Sequence, residues 1–274
     1  MPEAAVTPLS ALDSLPGQPR LTIGVLTKNE ARRIEACLRS AAFAQEVIVV
    51  DSGSTDETVD IARRCGAQVW SYPDWQGFAV QRNRLLAHAT GDYIFFLDAD
   101  EEITPALGTQ LLAAVQSNQR AVWKVRWSVV AFGRELKYFL SQSSPERLFR
   151  RDMLLRYEGA VHEHPVVKPE DAPRKLCSAN LLHFSRESIY GSLQKMTQYA
   201  MLGAVKRKEK GQRGGVLRGL ASAAAIFFRL YFMRMGFTGG GPGFLFCFFI
   251  ALECFFRYAA LRYDRNSLTN RIGR

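Results

Sequence analysis

Four acidic side chains follow directly after a strongly apolar stretch in the first half of the chain. Residues 93–97 read Tyr-Ile-Phe-Phe-Leu, and residues 98–102 read Asp-Ala-Asp-Glu-Glu. Uncompensated charge beside a buried segment is costly, so this cluster predicts a bound counter-charge. Because side-chain direction repeats every two residues in an extended chain, Asp98 and Asp100 are expected to point to the same side.

Two carboxylates in this arrangement are typical ligands of a hard divalent cation. Mg²⁺ and Mn²⁺ suit oxygen ligands, and Mg²⁺ usually keeps several waters while it binds one or two carboxylates and substrate phosphates. The pattern therefore predicts that Asp98 and Asp100 hold Mg²⁺ or Mn²⁺ against a diphosphate. The alternative is a solvated acidic turn that only ends a strand.

Apolar runs and helical segments alternate from residue 21 onward. Strands that are apolar on both faces and separated by helices indicate an α/β fold, with a mostly parallel sheet covered on both sides. Ligands of such sheets bind at the carboxyl ends of the strands. Asp51 and Asp98 each close one of these runs, so we expect both in one crevice. The predicted strands are 21–26, 47–50, 67–72 and 93–97.

The chain is expected to divide into three parts. We expect residues 1–19 to form a flexible leader and residues 20–185 to form the sheet domain. Within that domain we expect a nucleotide-binding half at 20–110 and a more antiparallel half at 111–185. Residues 186–274 predict a basic, Phe-rich helical region.

The positive charge of the chain is concentrated in its last hundred residues. Residues 174–274 contain 17 Lys or Arg against 4 Asp or Glu, whereas the formal net charge of the whole chain is +10. A basic segment rich in aromatics predicts an anionic partner, either nucleic acid or a membrane surface. The five cysteines show no paired spacing and the leader lacks a secretory pattern, so we expect a cytoplasmic protein.

Two apolar aromatic segments, 221–235 and 244–258, are joined by the glycine-rich stretch 239–243. Each is shorter than the roughly 20 residues that a spanning helix needs, and each carries charge. We therefore expect a hairpin that lies in the membrane interface, peripheral or monotopic, at the cytoplasmic face of the inner membrane. A helical hairpin packed as ordinary core and a true two-pass hairpin are the alternatives.

Several motifs in the first half resemble one known family. The string Asp51-Ser-Gly-Ser-Thr-Asp56 follows a strand some twenty residues after Thr27-Lys-Asn-Glu30, and Leu97-Asp-Ala-Asp100 comes later. Together they resemble the nucleotide-diphospho-sugar half of glycosyltransferase family 2, over roughly residues 20–110. The resemblance implies a GT-A fold, an inverting transfer and a divalent metal.

The resemblance also implies a set of donor-binding residues. Glu30 and Asp51 would receive the base and ribose, since a carboxylate can accept from an imide N–H or from ribose hydroxyls. Asp98 would lie near the ribose and metal, and Asp100 would bind the metal directly. The implied donor-binding residues are Thr27, Asn29, Glu30, Asp51, Ser52, Gly53, Arg82 and Asp98.

Inversion requires a base on the acceptor side of the sugar. The strings at 147–150 and 157–163 resemble the acceptor motif of lipopolysaccharide-core glucosyltransferases, which implies Glu163 as the base and His162 as a metal ligand or as the residue that orients Glu163. Alternatives that remain open are Glu101 or Glu102 as the base, His183 as a functional residue, and Arg147 and Arg150 facing a phosphate.

The sequence thus predicts a metal-dependent inverting glycosyltransferase that uses a nucleotide-diphospho-sugar donor and a lipid-linked saccharide acceptor at an anionic membrane surface. The string at 236–240 lacks the Asp that the lipopolysaccharide-core subgroup carries there, which weakens transfer of the acceptor identity. A nucleotidyltransferase is disfavoured because the loop after the first strand has no glycine. A nucleic-acid binder is disfavoured because no P-loop or zinc spacing is present.

Overall fold

The computed structural model describes residues 18–140, 144–159, 163–265 and 268. The strands of the first half are β1 (Leu21–Thr27), β2 (Glu46–Asp51), β3 (Gln68–Ser71), β4 (Tyr93–Asp98) and β5 (Glu101–Ile103). Those of the second half are β6 (Val122–Ala131), β7 (Arg134–Glu135), β8 (Glu146–Arg150), β9 (Leu154–Glu158), β10 (His164–Val167) and β11 (Arg174–Arg186). The α-helices are α1 (Ile34–Ser40), α2 (Thr58–Arg64), α3 (Phe78–His88), α4 (Pro105–Gln116), α5 (Ile189–Glu209), α6 (Val216–Phe228) and α7 (Gly240–Tyr263).

One mixed sheet organises the first half, in the order β3-β2-β1-β4-β8-β6-β11-β5, and β7 pairs with β6. Strands β1 to β4 are parallel to one another, while β8 runs antiparallel to both β4 and β6. The predicted α/β fold is confirmed, with a mixed sheet in which β1 to β4 are the parallel strands. The carboxyl ends of β1, β2 and β4 consequently lie at one edge of the sheet.

Both faces of this sheet are covered, which explains the unbroken apolar runs of its central strands. Val49 and Phe95 pack with α1, α2 and α4 on one face. Ile48 and Phe96 pack with Leu85 of α3 and with β9 on the other. Because successive side chains of a strand point to opposite faces, each strand contributes apolar residues to two separate cores.

The described residues form two compact units. The first contains the residues up to Trp127 and those from 144 to His183, and the second contains the residues from Ser128 to 140 and those from Phe184 onward. In the second unit, α7 packs against both α5 and α6. Its core contains a buried ion pair between Arg186 and Glu253, which leaves neither charge uncompensated.

The apolar helices of the second unit are longer than the sequence predicted. Helix α7 has 24 residues because it begins at Gly240, inside the glycine-rich stretch, where Pro242 is tolerated in the first turn. Helix α6 continues through a π-helical turn at Arg229–Met233. By length and composition alone, Val216–Met233 and Gly236–Tyr263 could each cross a membrane, so the prediction that both are too short is wrong.

Candidate functional site

The predicted strand-end residues meet at one edge of the sheet. In the register, Thr27 of β1 lies opposite Asp51 of β2, and Leu26 lies opposite Asp98 of β4. The residues that end the apolar runs are therefore neighbours at one edge of the sheet. The hydroxyl of Thr27 is buried there and makes no hydrogen bond to any described residue.

The loops that follow β1 and β2 are tied together by side chains. The Ser54 hydroxyl accepts from the backbone N–H of Asn29 at 2.8 Å, and the side-chain oxygen of Asn29 accepts from the backbone N–H of Thr55 at 2.8 Å. The Thr58 hydroxyl accepts from the Glu30 N–H at 2.8 Å. These bonds hold Asn29 and the Glu30 backbone in place beside the crevice.

Asp51 forms the turn that follows β2. Its carboxylate accepts from the backbone N–H of Gly53 at 3.0 Å and of Ser54 at 3.1 Å, and from the Ser54 hydroxyl at 2.5 Å. Gly53 has φ +83°, and a Cβ there would lie 3.1 Å from the Cα of Pro73. The buried Ser52 hydroxyl accepts from Gln81 of α3 at 3.0 Å. The carboxylate is thus already occupied by the turn, and direct donor binding by Asp51 stays a prediction.

Arg82 reaches from α3 into the centre of the site. Its guanidinium lies 3.2 Å from an oxygen of Asp98 and 3.6 Å from an oxygen of Glu163. It also lies over the rings of Phe96 and Tyr157, at 5.7 and 5.5 Å from their centroids. Arg82 is only 7% exposed, so the aromatic rings and the two carboxylates fix its position.

Asp98 belongs to a buried cluster of charged and hydrogen-bonding side chains. One nitrogen of Arg147 is 2.7 Å from Asp98 Oδ2 and 2.7 Å from Glu101 Oε1. Glu101 also accepts from the Trp127 indole N–H at 2.7 Å and from the Asp98 backbone N–H at 2.9 Å. Arg147 is 3% and Glu101 1% exposed. We call Asp98, Glu101, Trp127 and Arg147 the strand-end knot.

The charges of this knot shift one another's protonation. Burial opposes the charged form of Asp98, but Arg147 and Arg82 hold the pKa of that carboxyl well below its usual range. Burial raises the pKa of Glu101 to about 7, and Arg147 opposes this shift. Burial likewise disfavours the charged form of Arg147, but Asp98 and Glu101 raise its pKa above the usual value. Asp98 is accordingly an anion at neutral pH.

Two arginines that the sequence left as candidates for facing a phosphate have carboxylate partners. Arg147 donates to Asp98 and to Glu101, at 2.7 Å each. Arg150 lies opposite Tyr93, at the start of β4, where it contacts Asn118 and Asp152. With about 3.3 Å per strand residue, that position is roughly 16 Å from the Asp98 end.

Asp100 is differently placed from Asp98. Its carboxylate lies 3.5 Å from Nε2 of His183 on β11, and about a quarter of the Asp100 side chain is exposed. His183 stacks at a tilt on Trp127, with ring centroids 4.8 Å apart. Burial disfavours the imidazolium, but the hydrogen bond and charge of Asp100 raise the pKa of His183 above its ordinary value.

Glu163 lies beside Arg82 with about a quarter of its side chain exposed. Of the two alternatives for the base, Glu101 is buried and accepts three hydrogen bonds, so it has no access to an acceptor hydroxyl. Glu102 lies 3.5 Å from Arg33. His162 falls outside the described residues, so its predicted role has no structural test.

The carboxylate oxygens at the end of β4 have the chemistry that a divalent cation prefers. Asp98 and Asp100 are both partly exposed, and His183 lies 3.5 Å from Asp100. Mg²⁺ is usually held by one or two carboxylates and completed by substrate phosphates and water, so these two side chains are sufficient for such an ion. No set of three or more His, Cys, Asp or Glu ligands occurs within the described parts of the chain.

Two members of this site carried little signal in the sequence. Trp127 lies in β6 and His183 in β11, and neither is part of a short sequence motif. His183 lies opposite Glu101 because β11 pairs antiparallel with β5, and β6 is the neighbour of β11 in the sheet. The nearest signal in the sequence was the titratable side chain of His183 itself.

The chain was compared with known proteins. The sequence profile of "Glycosyl transferase family 2" matches residues 22–167. The lipopolysaccharide core biosynthesis glycosyltransferase LpsC of Rhizobium meliloti is 28% identical over 260 residues, which cover 92% of this chain and 94% of that protein.

Solved structures give weaker similarities. S. aureus TarS (residues 1–349), in complex with UDP-GlcNAc, has a TM-score of 0.48 and 18% identity over 90% of this chain and 84% of that one. Glucosyl-3-phosphoglycerate synthase from Mycobacterium tuberculosis, in complex with Mn²⁺, UDP-glucose and phosphoglyceric acid, has a TM-score of 0.39 and 23% identity over 50% and 58%. The family match, together with the mixed sheet, confirms the resemblance and the GT-A fold predicted from the sequence motifs.

Proposed function

The chain belongs to glycosyl transferase family 2, and from this premise we propose that it transfers a sugar, with inversion, from a nucleotide-diphosphate sugar to a hydroxyl of a lipid-linked saccharide. The observation that carries the proposal is the cluster at the end of β4. There Asp98, Asp100, Arg82 and Glu163 converge at the carboxyl edge of the nucleotide half. Such an edge is where α/β sheets bind their ligands.

In the proposed mechanism the donor lies over the ends of β1, β2 and β4. The turn at Ser52 and Gly53 and the loop at Asn29 and Glu30 would contact the nucleoside. The buried Arg82 holds the Asp98 carboxylate at 3.2 Å, which fixes its orientation toward the ribose and diphosphate. Preorganised charge of this kind needs no rearrangement during the reaction.

Asp100 and the exposed part of Asp98 would hold a divalent metal. When bound, the cation would neutralise the charge of the departing nucleoside diphosphate. Asp100 would be the principal protein ligand, because its only hydrogen bond or ion pair in the described chain is with His183. Asp98, in contrast, has one oxygen near Arg82 and the other on Arg147.

We assign Glu163 as the base. It would take the proton from the acceptor hydroxyl while that oxygen forms a bond to the anomeric carbon. The bond from that carbon to the phosphate oxygen breaks on the opposite side, and its electron pair leaves with the diphosphate. Arg82, 3.6 Å away, would position the Glu163 carboxylate.

The acceptor and the membrane location rest on two further observations. A glycosyltransferase of lipopolysaccharide core biosynthesis is similar to this chain over nearly its whole length. The helical unit also exposes many large apolar side chains, which soluble monomers rarely do in one region. They include Leu217, Leu220, Phe228, Phe232, Met233, Phe237, Phe244, Phe248 and Phe256. We propose that this unit is held in the cytoplasmic face of the inner membrane.

A panel of nucleotide sugars tests the proposed function. Purified protein in detergent is incubated with each donor and a lipid-linked saccharide, with Mn²⁺, Mg²⁺ or EDTA, and nucleoside diphosphate release is measured. The expected result is metal-dependent release with one donor, and a product whose anomeric proton coupling shows inversion. Retention of configuration, or equal rates in EDTA, would overturn the corresponding part of the proposal.

A further inference from the structure

A long apolar groove runs between α6 and α7. Its volume of about 540 Å³ lies in the range of small-molecule sites. Hydrocarbon and aromatic side chains account for the whole lining, with no charged or hydrogen-bonding side chain among them. The lining residues are Leu220, Ala223, Ala224, Phe227, Phe244, Phe248, Ala251, Leu252 and Phe255.

A cluster of arginines surrounds Tyr258 on α7. The guanidinium of Arg207, from the last turn of α5, lies 5.0 Å from the centroid of the Tyr258 ring and hydrogen-bonds its hydroxyl. Arg257 lies against Gly203, one turn before Arg207, where any Cβ would collide with its guanidinium. The charge of Arg218 on α6 also acts on the Tyr258 hydroxyl. Three helices therefore direct cations to one place.

These cations form no close ion pair. No ion pair of Arg207, Arg218 or Arg257 occurs in the described part of the chain, and Glu253, whose charge acts on Arg257 from one turn away, is paired with Arg186. The Nε atoms of Arg207 and Arg257 are buried and have no hydrogen-bond partner among the described residues. Buried donors normally find a partner, so these two nitrogens leave the positive charge of the cluster poorly compensated within the described residues.

The groove and the arginine cluster are contiguous. Phe255 lines the groove, and Tyr258 follows it by one turn on the same face of α7. Gly219, next to the groove residue Leu220, lets α6 approach both: a Cβ there would lie 3.1 Å from the Phe255 ring and 3.5 Å from the Cβ of Tyr258. One ligand with an anionic head and an apolar tail would match both surfaces at once.

We propose that α5, α6 and α7 bind one anionic phospholipid, with an acyl chain in the groove and the phosphate at Arg207 and Arg257. The inference deepens the proposed membrane-linked function by assigning a defined lipid site, beyond general attraction to an anionic surface. A second copy of the chain on the groove would cover the apolar side chains, but its helical region carries the same excess of basic residues, 17 Lys or Arg against 4 Asp or Glu in residues 174–274. The charge complementarity therefore favours the lipid.

Native mass spectrometry of the detergent-purified full chain tests this site. The protein is titrated with dioleoyl phosphatidylglycerol, with dioleoyl phosphatidylcholine, or with inorganic phosphate. We expect one phosphatidylglycerol per chain to be retained at least about tenfold more tightly than phosphatidylcholine. Phosphate alone should not displace it, because phosphate leaves the groove unfilled.

Matched variants separate a defined site from diffuse attraction. Arg207→Gln/Arg257→Gln should weaken phosphatidylglycerol retention by at least about tenfold, since each cation near an anionic headgroup contributes to binding. Lys208→Gln/Lys210→Gln removes the same charge from the same helix end and should leave retention unchanged. Ala224→Phe should fill the groove and abolish retention, whereas Ala225→Phe, outside the lining, should not.

Several outcomes would overturn the lipid site. These are equal retention of the two lipids, equal losses in the two charge variants, normal retention by Ala224→Phe, or displacement by phosphate alone. Circular dichroism confirms that each variant is folded. The assay contains no nucleotide sugar, so lost lipid retention with intact metal-dependent diphosphate release defeats only the lipid site. Intact retention without any diphosphate release defeats only the proposed function.

Discussion

The strand-end knot makes a sharp prediction for the change Arg147→Met. Arg147 is buried, and a single nitrogen lies 2.7 Å from both Asp98 and Glu101. Methionine fills a similar volume but removes the charge and the hydrogen bonds. Asp98 keeps Arg82 as a partner, whereas Glu101 is left with only the Trp127 indole and a backbone N–H.

The cost follows from that geometry. Removing one partner of a buried ion pair destabilises a protein by about 3–5 kcal/mol, because the group left behind must stay desolvated as an anion or take up a proton. At roughly 2–4 °C per kcal/mol for a domain of this size, the midpoint of thermal unfolding should fall by about 6–20 °C. Adding Glu101→Gln removes the stranded carboxylate, so Arg147→Met/Glu101→Gln should be more stable than the sum of the two single changes.

Differential scanning fluorimetry of the detergent-purified variants measures these shifts. Arg150→Met is the matched control, because Arg150 lies on the same strand but its ion pair with Asp152 is partly exposed. That pair should contribute about 1 kcal/mol or less. If Arg147→Met and Arg150→Met lower the midpoint equally, or if the double variant shows simple additivity, the knot is not the coupled unit described here.

Other predictions address the site and the membrane unit. Asp100→Asn should abolish Mn²⁺-dependent diphosphate release while the unfolding midpoint stays within about 2 °C; near-normal turnover at saturating Mn²⁺ would remove Asp100 from the metal site. Asp51→Asn should raise the donor KM with little change in kcat, because the turn it holds serves recognition; a large kcat loss at constant KM would contradict that role. Glu163→Gln should lower transfer by about 10²–10⁴-fold without loss of donor binding, whereas Glu102→Gln should not; the opposite ranking would move the base. Membranes should release the chain only with detergent if residues 216–263 are inserted, and with alkaline carbonate if they lie in the interface; release by low-salt buffer alone would refute membrane anchoring.

The nucleotide half was predictable because both faces of its strands are buried. Continuous apolar runs at β1, β2 and β4 mark the strands, and the first polar residue after each run marks the ligand edge. Asp51 and Asp98 were therefore placed at one edge from sequence alone. The family was predicted from the spacing of the motifs, because the periodicity of apolar residues carries no information about it.

The partners of those residues were not predictable, because they depend on strand order. Arg147 appeared to be a phosphate-facing residue, yet β8 lies next to β4 in antiparallel register and brings Arg147 underneath Asp98. His183 reaches Asp100 from β11, some 80 residues away in sequence. The length of α7 was underestimated for a different reason: its first turn uses glycines and a proline, which read locally as a linker.

The two aspartates of the strand-end motif, Asp98 and Asp100, have different surroundings. Asp98 contacts two guanidinium groups, one on each carboxylate oxygen, and both arginines are buried. Its negative charge is therefore compensated whether or not a cation is bound, and it anchors the end of β4. Among the described residues, Asp100 pairs with the imidazole of His183 alone, and about a quarter of its side chain is exposed. A motif that looks symmetrical in sequence thus combines a fixed anchor with an accessible ligand, and the cation should depend more strongly on Asp100 than on Asp98.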